Sequence, residues 1–335
     1  MTHIGVPRPR GGPTGGHEAV LTVSRPPTAR VFGAGPALIG HRGLGCGIVH
    51  GHRENTLGSF TAAAALGMTW LEADVRRTRD DVLVVAHDEA YPDGTRVADV
   101  DAAEADRRGT LRLQTLLERL SAEVGLDLDL KSAIDDSLRP PSRTTAALLG
   151  PVVAAEVRRR PLLVTSFDPA ALGELRARAP SLPLGWLTWH HFPLDAAVAA
   201  CAHMDVDVLG LHVGSLAHRG SGAVESATVA GTLPFVHGAG RRLMVWCPAA
   251  DSAGALLEAG ADAVVVDEVP RALEFLGPQE PRTHERSTVR DGVAGRPPTA
   301  DAPIAGPGAH GAAPALTGTR RGLPGSAQAE HGESP

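Results

Sequence analysis

Residues able to bind a metal ion and to transfer protons lie between positions 39 and 88, at the ends of short apolar runs. Two of them are histidines, His41 and His87, and two are carboxylates spaced two apart, Glu72 and Asp74. Arg42 follows the first histidine and offers a forked donor suited to phosphate oxygens. These residue types are the ones needed to hold a divalent cation and to move protons around a phosphate group.

The pair Glu72 and Asp74 is the most informative feature, because residues i and i+2 of a strand point to the same face. Leu71 and Ala73 then face the opposite side, towards helices. Two adjacent carboxylates repel each other unless a cation or an arginine lies between them. We therefore predict a hard divalent ion with oxygen ligands at this pair. The alternative is an exposed strand with ordinary salt bridges.

The sequence Leu-Asp-Leu-Asp-Leu-Lys at residues 126–131 repeats this alternation. An edge strand of an antiparallel sheet would have the same pattern. In a barrel strand, however, the polar face points inward, so its charges must be paired or must ligate an ion. We predict that Asp129 is the third metal ligand and that Lys131, at the strand end, contacts a phosphate oxygen.

Each of the two histidines follows an apolar run, His41 after Ala37–Gly40 and His87 after Val82–Val85. A lone histidine at such a place is usually a loop or turn residue. Near a metal-bound phosphodiester, however, two histidines could serve as general base and general acid. The metal would neutralise the charge of the transition state.

Composition excludes several classes of protein. The 335 residues carry a net charge of -6 with a pI near 6.2, and no basic patch or arm indicates nucleic-acid binding. The three cysteines, Cys46, Cys201 and Cys247, form no CxxC pair, which fits a reducing compartment. The N-terminal segment lacks the apolar core of a signal peptide, and no apolar run reaches the roughly 18 residues of a membrane span. We expect a cytoplasmic protein without a transmembrane segment.

The ends of the chain differ in composition from its centre. Residues 1–35 and 278–335 are rich in Pro and Gly and lack hydrophobic periodicity. We expect both tails to be disordered, because they cannot bury enough surface to offset the entropy of ordering. The remaining residues 36–277 are within the range of one domain.

Short apolar runs alternate with helical patterns throughout residues 36–277. A (β/α)8 TIM-type barrel of about 250 residues has this alternation, and a doubly wound open sheet is the alternative. Polar residues cluster at many strand ends, not at one switch point, which favours the barrel. The predicted strands are Ala37–Gly40, Trp70–Val75, Leu126–Leu130, Leu162–Thr165, Leu184–Leu187, Val208–Leu211, Leu243–Trp246 and Ala263–Val266, with Val82–Val85 as an extra hairpin strand.

Taken in order, the motifs resemble those of the glycerophosphodiester phosphodiesterase family, over nearly the whole core. The resemblance implies a barrel fold and metal-dependent hydrolysis of a small glycerophosphodiester to glycerol 3-phosphate and an alcohol. The matching residues are His41-Arg-Gly43, Glu54-Asn-Thr56 with Ser59-Phe60, Glu72-Ala-Asp74-Val75, Thr78-Arg-Asp80, His87-Asp88, Asp129-Leu-Lys131, Ser166-Phe-Asp-Pro169, Trp246, Asp267 and Pro270.

The resemblance also implies roles for individual residues. His41 and His87 would catalyse the reaction, and we group Arg42 with them. Mg²⁺ or Ca²⁺ would be held by the acidic residues at 72, 74 and 129. Substrate contacts are assigned to Lys131, Glu54, Asn55 and Trp246.

Two departures from the family pattern concern the predicted site. The family usually has Glu where this chain has Asp129, which is one methylene shorter. It typically has Trp-Thr-x-Asn where this chain reads Trp246-Cys-Pro-Ala. Elsewhere, we expect Asp267 to cap the last helix, and Cys201 and Cys247 to be small buried residues.

Two alternatives stay open. The barrel could act on larger lipids as a lysophospholipase D, which an apolar and roomy cavity mouth would favour. It could instead bind a phosphorylated ligand without turnover, given Asp129 and the altered motif after Trp246. The residues Trp189-His-His191 and His212, which follow the fifth and sixth strands, could contact substrate or face solvent.

Overall fold

The eight predicted apolar runs form the parallel strands of a closed barrel in the computed structural model, which describes residues 31–33, 35–216 and 226–276. The strands are β1 (Ala37–Gly40), β2 (Ile48–Val49), β3 (His52–Arg53), β4 (Trp70–Arg77), β5 (Leu83–Val85), β6 (Leu111–Arg112), β7 (Gly125–Leu130), β8 (Leu162–Ser166), β9 (Leu184–Leu187), β10 (Val208–His212), β11 (Arg242–Trp246) and β12 (Ala263–Val266). The α-helices are α1 (Leu57–Ala65), α2 (Ala102–Arg107), α3 (Leu113–Arg119), α4 (Thr145–Glu156), α5 (Pro169–Arg178), α6 (Leu194–His203), α7 (Ser226–Gly238), α8 (Ala253–Glu258) and α9 (Val269–Leu276).

Closure of the barrel comes from β1, which pairs in parallel with both β4 and β12. Strands β7 to β12 complete the ring in chain order. The prediction of a (β/α)8 barrel is confirmed, and the open doubly wound sheet is excluded. The predicted hairpin is also confirmed, since β5 runs antiparallel to β4 with Val75 opposite Val85.

The starts of α5 and α8 differ in how they are capped. The side chain of Asp168 accepts hydrogen bonds from the backbone N–H groups of Ala170 and Ala171 at the start of α5, with Pro169 in the first turn. Asp251 is of a residue type that often precedes a helix, but it does not cap α8. Residues 250–252 form a 3-10 turn, and α8 begins after it without a side-chain cap.

The alternation along β4 and β7 divides apolar from charged side chains. Leu71, Ala73 and the leucines of β7 belong to the core between the strands and the surrounding helices. The acidic residues of both strands are buried on the inner side, where Glu72 is in register with Asp127 and Asp74 with Asp129. The predicted face of each strand is therefore confirmed.

Apolar side chains fill the barrel interior at the end opposite the charges. Trp70 packs edge-to-face on Phe32 with ring centroids 5.5 Å apart. A Cβ on Gly125 would lie 2.6 Å from the Trp70 indole, so glycine is required there. Phe32 belongs to the predicted N-terminal tail, yet its side chain is buried in this apolar cluster. The packing of the barrel therefore begins before residue 36.

The two predicted tails otherwise lie outside the described residues, and their disorder stays a prediction. Among the helices that the structure describes, none combines the length and the apolar character needed to span a bilayer.

Candidate active site

A cavity of roughly 600 Å³ opens at the carboxyl ends of the barrel strands, the face where barrel enzymes place catalytic groups. Seven of the predicted site residues line it: His41, Arg42, Glu72, His87, Asp129, Lys131 and Trp246. Asp74, Glu54 and Asn55 lie behind this lining. The strand register explains the gathering, because β1, β4 and β7 are neighbours in the barrel.

Three carboxylates form a buried cluster beneath the cavity. One oxygen from each of Glu72, Asp74 and Asp129 lies within 4.8 Å of the others. Among the described residues, Glu72 Oε1 and Asp129 Oδ1 have no hydrogen-bond partner although both atoms are buried. Buried carboxylate oxygens without partners are costly unless a cation binds them, so this arrangement fits a divalent metal ion.

The positive charges around the cluster are fewer than the negative ones. Lys131 Nζ forms ion pairs with Asp129 Oδ2 and, at 3.0 Å, with Asp74 Oδ1. Arg42 Nε lies 3.2 Å from Asp74 Oδ2. Four buried carboxylates, those of Glu72, Asp127 and the two aspartates just named, thus share two ion-paired cations, and Arg76 lines the same cavity. A divalent cation would offset the remaining negative charge.

The pKa values of the cluster follow from this balance. Burial, with Asp74 and Asp129 adding to it, raises the pKa of Glu72 well above its usual value. Burial also raises the pKa of Asp129 to about 6, against the opposing effect of Lys131. Burial opposes ionisation of Asp74 as well, yet Lys131 and Arg42 lower its pKa to about 2. Glu72 and Asp129 are therefore the carboxylates that a cation would help to ionise.

The motifs His41-Arg-Gly43 and Glu54-Asn-Thr56 are joined through their backbones. Asn55 N donates to Arg42 O at 3.1 Å, and Ser59 Oγ donates to the same oxygen at 3.1 Å. Both Arg42 (φ 53°) and Asn55 (φ 56°) adopt the left-handed conformation. At Gly43 (φ 94°) a Cβ would lie 2.5 Å from Ser59 Oγ, so only glycine fits. In this turn, the backbone N–H of Arg42 donates a hydrogen bond to Glu72 Oε2 at 2.9 Å.

Glu54 and Asn55 act on other side chains of the site. Glu54 Oε1 accepts from Arg42 Nη1 at 2.8 Å, and Asn55 Nδ2 donates to Asp74 Oδ2 at 2.8 Å. The guanidinium of Arg42 is therefore oriented by two carboxylates. Neither Glu54 nor Asn55 lines the cavity, and their assignment to substrate binding stays a prediction.

His41 is held by a residue whose role the sequence did not reveal. Its Nδ1 lies 2.5 Å from Asp267 Oδ1, and its Nε2 lies 3.7 Å from Glu72 Oε2. The hydrogen bond with His41 lowers the pKa of Asp267, although burial opposes this. The expectation that Asp267 caps the last helix is replaced by this contact. The sequence signals for Asp267 were its place directly after the eighth predicted strand and its presence among the residues that match the family motifs.

His87 lies at the end of the hairpin, where its ring is half-exposed to the cavity. Its Nδ1 lies 2.8 Å from Asp88 Oδ1. Its backbone carbonyl accepts from Arg76 Nε at 2.9 Å and Arg76 Nη2 at 2.8 Å. Both histidines thus direct Nδ1 to a carboxylate oxygen.

An aromatic wall of Phe167, Trp189 and Trp246 borders the cavity. Trp189 is 66% exposed and stacks on Phe167 with centroids 4.2 Å apart, while Trp246 meets Phe167 edge-on at 5.5 Å. The sequence singled out Trp246 but not the role of Phe167, which follows β8 in the motif Ser166-Phe-Asp-Pro169. This wall makes one side of the cavity apolar.

Three histidines form a cluster beside this wall, two in the segment after β9 and one at the last residue of β10. His190 stacks on His191 at 3.8 Å and meets His212 at 4.4 Å. None of the three lines the cavity. Burial lowers the pKa of His212, whose Nδ1 accepts from Gly214 N at 2.9 Å. These contacts support a structural role for His212.

The cysteines differ from one another in their surroundings. Cys201 is buried, as expected. Cys247 is partly exposed and lines the cavity, with its Sγ 3.9 Å from Asp267 Oδ1. The expectation of a buried Cys247 is therefore wrong, because the residue follows β11 at the open end of the barrel.

Comparison with known proteins relates the chain to one family. The sequence model of the "Glycerophosphoryl diester phosphodiesterase family" matches residues 41–271. "Probable glycerophosphodiester phosphodiesterase 2" of Mycobacterium tuberculosis is 28% identical over 229 residues, which cover 64% of this chain and 81% of the relative. "Glycerophosphodiester phosphodiesterase GDPD2" of Arabidopsis thaliana is 24% identical, over 50% of this chain and 57% of the relative.

Solved structures agree with the barrel. The Oleispira antarctica phosphodiesterase, determined with its product sn-glycerol-3-phosphate, superposes with a TM-score of 0.55 at 22% identity and covers 72% of this chain and 96% of its own. The Thermotoga maritima glycerophosphodiester phosphodiesterase gives 0.55 at 19% identity, over 72% and 98%. At these identities the likeness concerns the fold, while the family match spans the site from His41 to Arg271. The chain belongs to the glycerophosphoryl diester phosphodiesterase family and is a phosphoric diester hydrolase.

Proposed function

We propose that this protein hydrolyses small glycerophosphodiesters to glycerol 3-phosphate and an alcohol, with a divalent cation. The observation that carries the proposal is a single cavity lined by His41, His87, Glu72 and Asp129. A solved relative holds sn-glycerol-3-phosphate as its product, and the curated relatives are named for this substrate class. We extend that class to this chain.

His41 and His87 are the proposed acid–base pair. In each, a carboxylate beside Nδ1 favours the tautomer that carries its proton there, as in other His–carboxylate pairs. Nε2 is then the atom that takes or gives a proton. One histidine removes the proton of the attacking oxygen, and the other protonates the leaving alcohol.

Glu72, Asp74 and Asp129 are the proposed ligands of Mg²⁺ or Ca²⁺. Their cluster fits a hard cation because Glu72 Oε1 and Asp129 Oδ1 are buried without a hydrogen-bond partner. When bound, the cation polarises a phosphoryl oxygen and stabilises the charge that develops in the transition state. Arg42 and Lys131 add positive charge on the same side of the cavity and would orient the phosphate.

The first experiment measures release of glycerol 3-phosphate from glycerophosphocholine and glycerophosphoethanolamine, with EDTA and after adding back Mg²⁺ or Ca²⁺. We expect turnover that EDTA abolishes. His41→Ala and His87→Ala should each lose about 10²- to 10⁴-fold in kcat. His203→Ala, on the exposed surface of α6, is the matched control. Activity retained in both cavity variants would refute the two-histidine mechanism.

A second measurement assigns the two roles. A diester of glycerol phosphate with p-nitrophenol has a leaving group that needs no protonation. The variant that lacks the general acid should therefore keep most of its activity on this substrate, while the variant that lacks the general base should not. If each variant lost as much activity on the p-nitrophenyl diester as on glycerophosphocholine, neither histidine would act as the general acid.

The aromatic wall supports a second candidate function, lysophospholipase D activity on larger lipids. Phe167 and the exposed Trp189 offer an apolar surface at the cavity mouth, on which an acyl chain could lie. Lysophosphatidylcholine is the test substrate. If it is the better substrate, Trp189→Ala should raise its KM and leave that of glycerophosphocholine unchanged. Phosphate-ester binding without turnover of either substrate would favour the non-catalytic barrel.

A further inference from the structure

A second group of metal-ligating side chains lies at the ends of β1, β11 and β12. It consists of His41, Cys247 and Asp267, one ligand atom of each lying within 4.8 Å of the others. None of these three belongs to the proposed Mg²⁺ or Ca²⁺ ligands, yet His41 Nε2 lies 3.7 Å from Glu72 Oε2. The two groups are therefore adjacent and share the cavity.

The distances within this group suit a tetrahedral ion after a small adjustment. With bonds of about 2.0 Å to N or O and 2.3 Å to S, tetrahedral ligands lie about 3.3–3.6 Å apart. Cys247 Sγ is 3.9 Å from Asp267 Oδ1, close to that separation. His41 Nδ1 is 2.5 Å from the same oxygen, because a proton joins them. A metal ion would take the place of that proton.

The backbone holds these residues in position. His41 N donates to Val266 O at 3.1 Å, and Cys46 N donates to Asp267 O at 2.9 Å. A Cβ on Gly45 would lie 2.0 Å from Asp267 O, so this approach is possible only with glycine. Cys247 adopts φ 56°, the left-handed conformation. The group is thus assembled by barrel closure and two tight turns, before any ion binds.

The donor atoms select a different class of metal from the carboxylate cluster. A thiolate, an imidazole and one carboxylate suit Zn²⁺, whereas carboxylate oxygens suit Mg²⁺ and Ca²⁺. Cys247 and His41 line the cavity, so an ion can reach them and water can complete the coordination.

We propose that His41, Cys247 and Asp267 form an inhibitory Zn²⁺ site. Binding releases the thiol proton, and the proton between His41 and Asp267 moves to Nε2 of His41, because a neutral imidazole that ligates through Nδ1 carries its one proton there. His41 then loses its carboxylate partner, and its protonated Nε2 can no longer accept a proton. Inhibition rests on the proposed role of His41 in catalysis, whereas binding of the ion does not.

The binding test uses Co²⁺ as a coloured substitute for Zn²⁺ on the full-length protein, with Mg²⁺ in excess. We expect a thiolate-to-Co²⁺ charge-transfer band that Zn²⁺ abolishes. Cys247→Ser should lose the band, and Cys46→Ser should keep it. Cys46 is the matched control, since this exposed thiol lies near the site but outside the ligand group. A band that survives in Cys247→Ser, or that disappears in Cys46→Ser alone, would overturn the proposal.

The inhibition test compares each variant with its own zinc-free rate on glycerophosphocholine. Zn²⁺ should inhibit wild type and Cys46→Ser at the same concentration. The concentration that halves the rate of Cys247→Ser should be higher by about tenfold or more. Equal sensitivity of all three would overturn the inhibitory role. Lack of zinc-free turnover together with an intact Co²⁺ band would instead contradict the proposed function and leave the metal site standing.

Discussion

His41 and Asp267 are 226 residues apart in the chain, yet His41 Nδ1 lies 2.5 Å from Asp267 Oδ1. The contact exists because β1 and β12, the first and last barrel strands, pair in parallel with Gly40 opposite Val266. The residue that follows each strand is then placed at the same edge of the sheet. The pair therefore depends on closure of the barrel.

Asp267→Asn should reduce kcat by about 10- to 100-fold with little change in KM. The amide cannot favour the Nδ1–H tautomer of His41 as a carboxylate does, and loss of an outer partner typically costs this much. Steady-state kinetics on glycerophosphocholine would measure the split between kcat and KM.

The matched control for this change is Asp262→Asn at the opposite end of β12. Asp262 Oδ2 lies 2.7 Å from His237 Nε2, a second His–carboxylate pair that lies far from the cavity. The kcat of Asp262→Asn, per folded molecule, should equal that of the wild-type protein. A similar fall in both variants would indicate general loss of structure and not a positioning role for Asp267.

Arg77→Ala should lower the free energy of unfolding by about 3–5 kcal/mol, the usual cost of removing one partner of a buried ion pair. The Arg77 side chain is fully buried, and its Nη2 and Nε lie 2.7 and 2.8 Å from Asp135 and Asp136. The change removes the arginine from both carboxylates, and only Asp136 keeps hydrogen bonds from Thr145. Denaturant unfolding would measure the loss.

Arg79→Ala provides the comparison on the same hairpin. The Arg79 side chain is 65% exposed, and its ion pair with Asp101 spans 3.4 Å. Exposed pairs of this kind contribute about 0–1 kcal/mol. If the two variants lost similar stability, burial would not be the reason for the importance of Arg77.

The sequence was sufficient to predict the strands and their polar faces because both depend on local order. Alternation along β4 and β7 is a period of two residues, and it correctly placed Glu72, Asp74 and Asp129 inside the barrel. The starting and ending residues of β1, β9 and β12 were also correct.

The sequence could not reveal contacts that depend on closure of the barrel or on the direction of individual side chains. The partner of His41 required knowing that β1 meets β12. Stacking of Trp189 on Phe167 joins residues that follow different strands. The turn of Glu54 towards Arg42 depends on two left-handed residues, Arg42 and Asn55, which no periodicity marks.

Addition of Mg²⁺ or Ca²⁺ should raise the melting temperature of EDTA-treated protein. An ion that binds only the folded state stabilises it by about 2.7 kcal/mol at 100 times its Kd. Glu72→Gln should lose this response, because it removes a buried ligand charge. Scanning calorimetry at increasing ion concentration would measure the shift.

Asp127→Asn tests whether the response belongs to the three ligands or to any charge on the inner face. Asp127 is buried beside them, and its Oδ1 accepts from Thr165 Oγ1 at 2.9 Å. It lies outside the ligand group, so its variant should keep the response to the ion. Loss of the response in Asp127→Asn would contradict the ligand assignment.

Without a bound ion, Asp129 should make the folded protein less stable as the pH rises from about 4 to 6. Burial raises its pKa from 3.8 to about 6 in the folded state, so over this range the folded state holds more protons than the unfolded state. The free energy of unfolding then falls with rising pH. A shift of this size corresponds to roughly 3 kcal/mol.

Asp129→Asn cannot titrate at this position, so it isolates the contribution. In EDTA, the free energy of unfolding of the variant minus that of wild type should rise between pH 4 and 6 and stay constant above. Denaturant unfolding at several pH values would measure this difference, and parallel curves would contradict it. With Mg²⁺ or Ca²⁺ present the trend should reverse, because ionised Asp129 would then bind the cation and wild type would gain stability with rising pH.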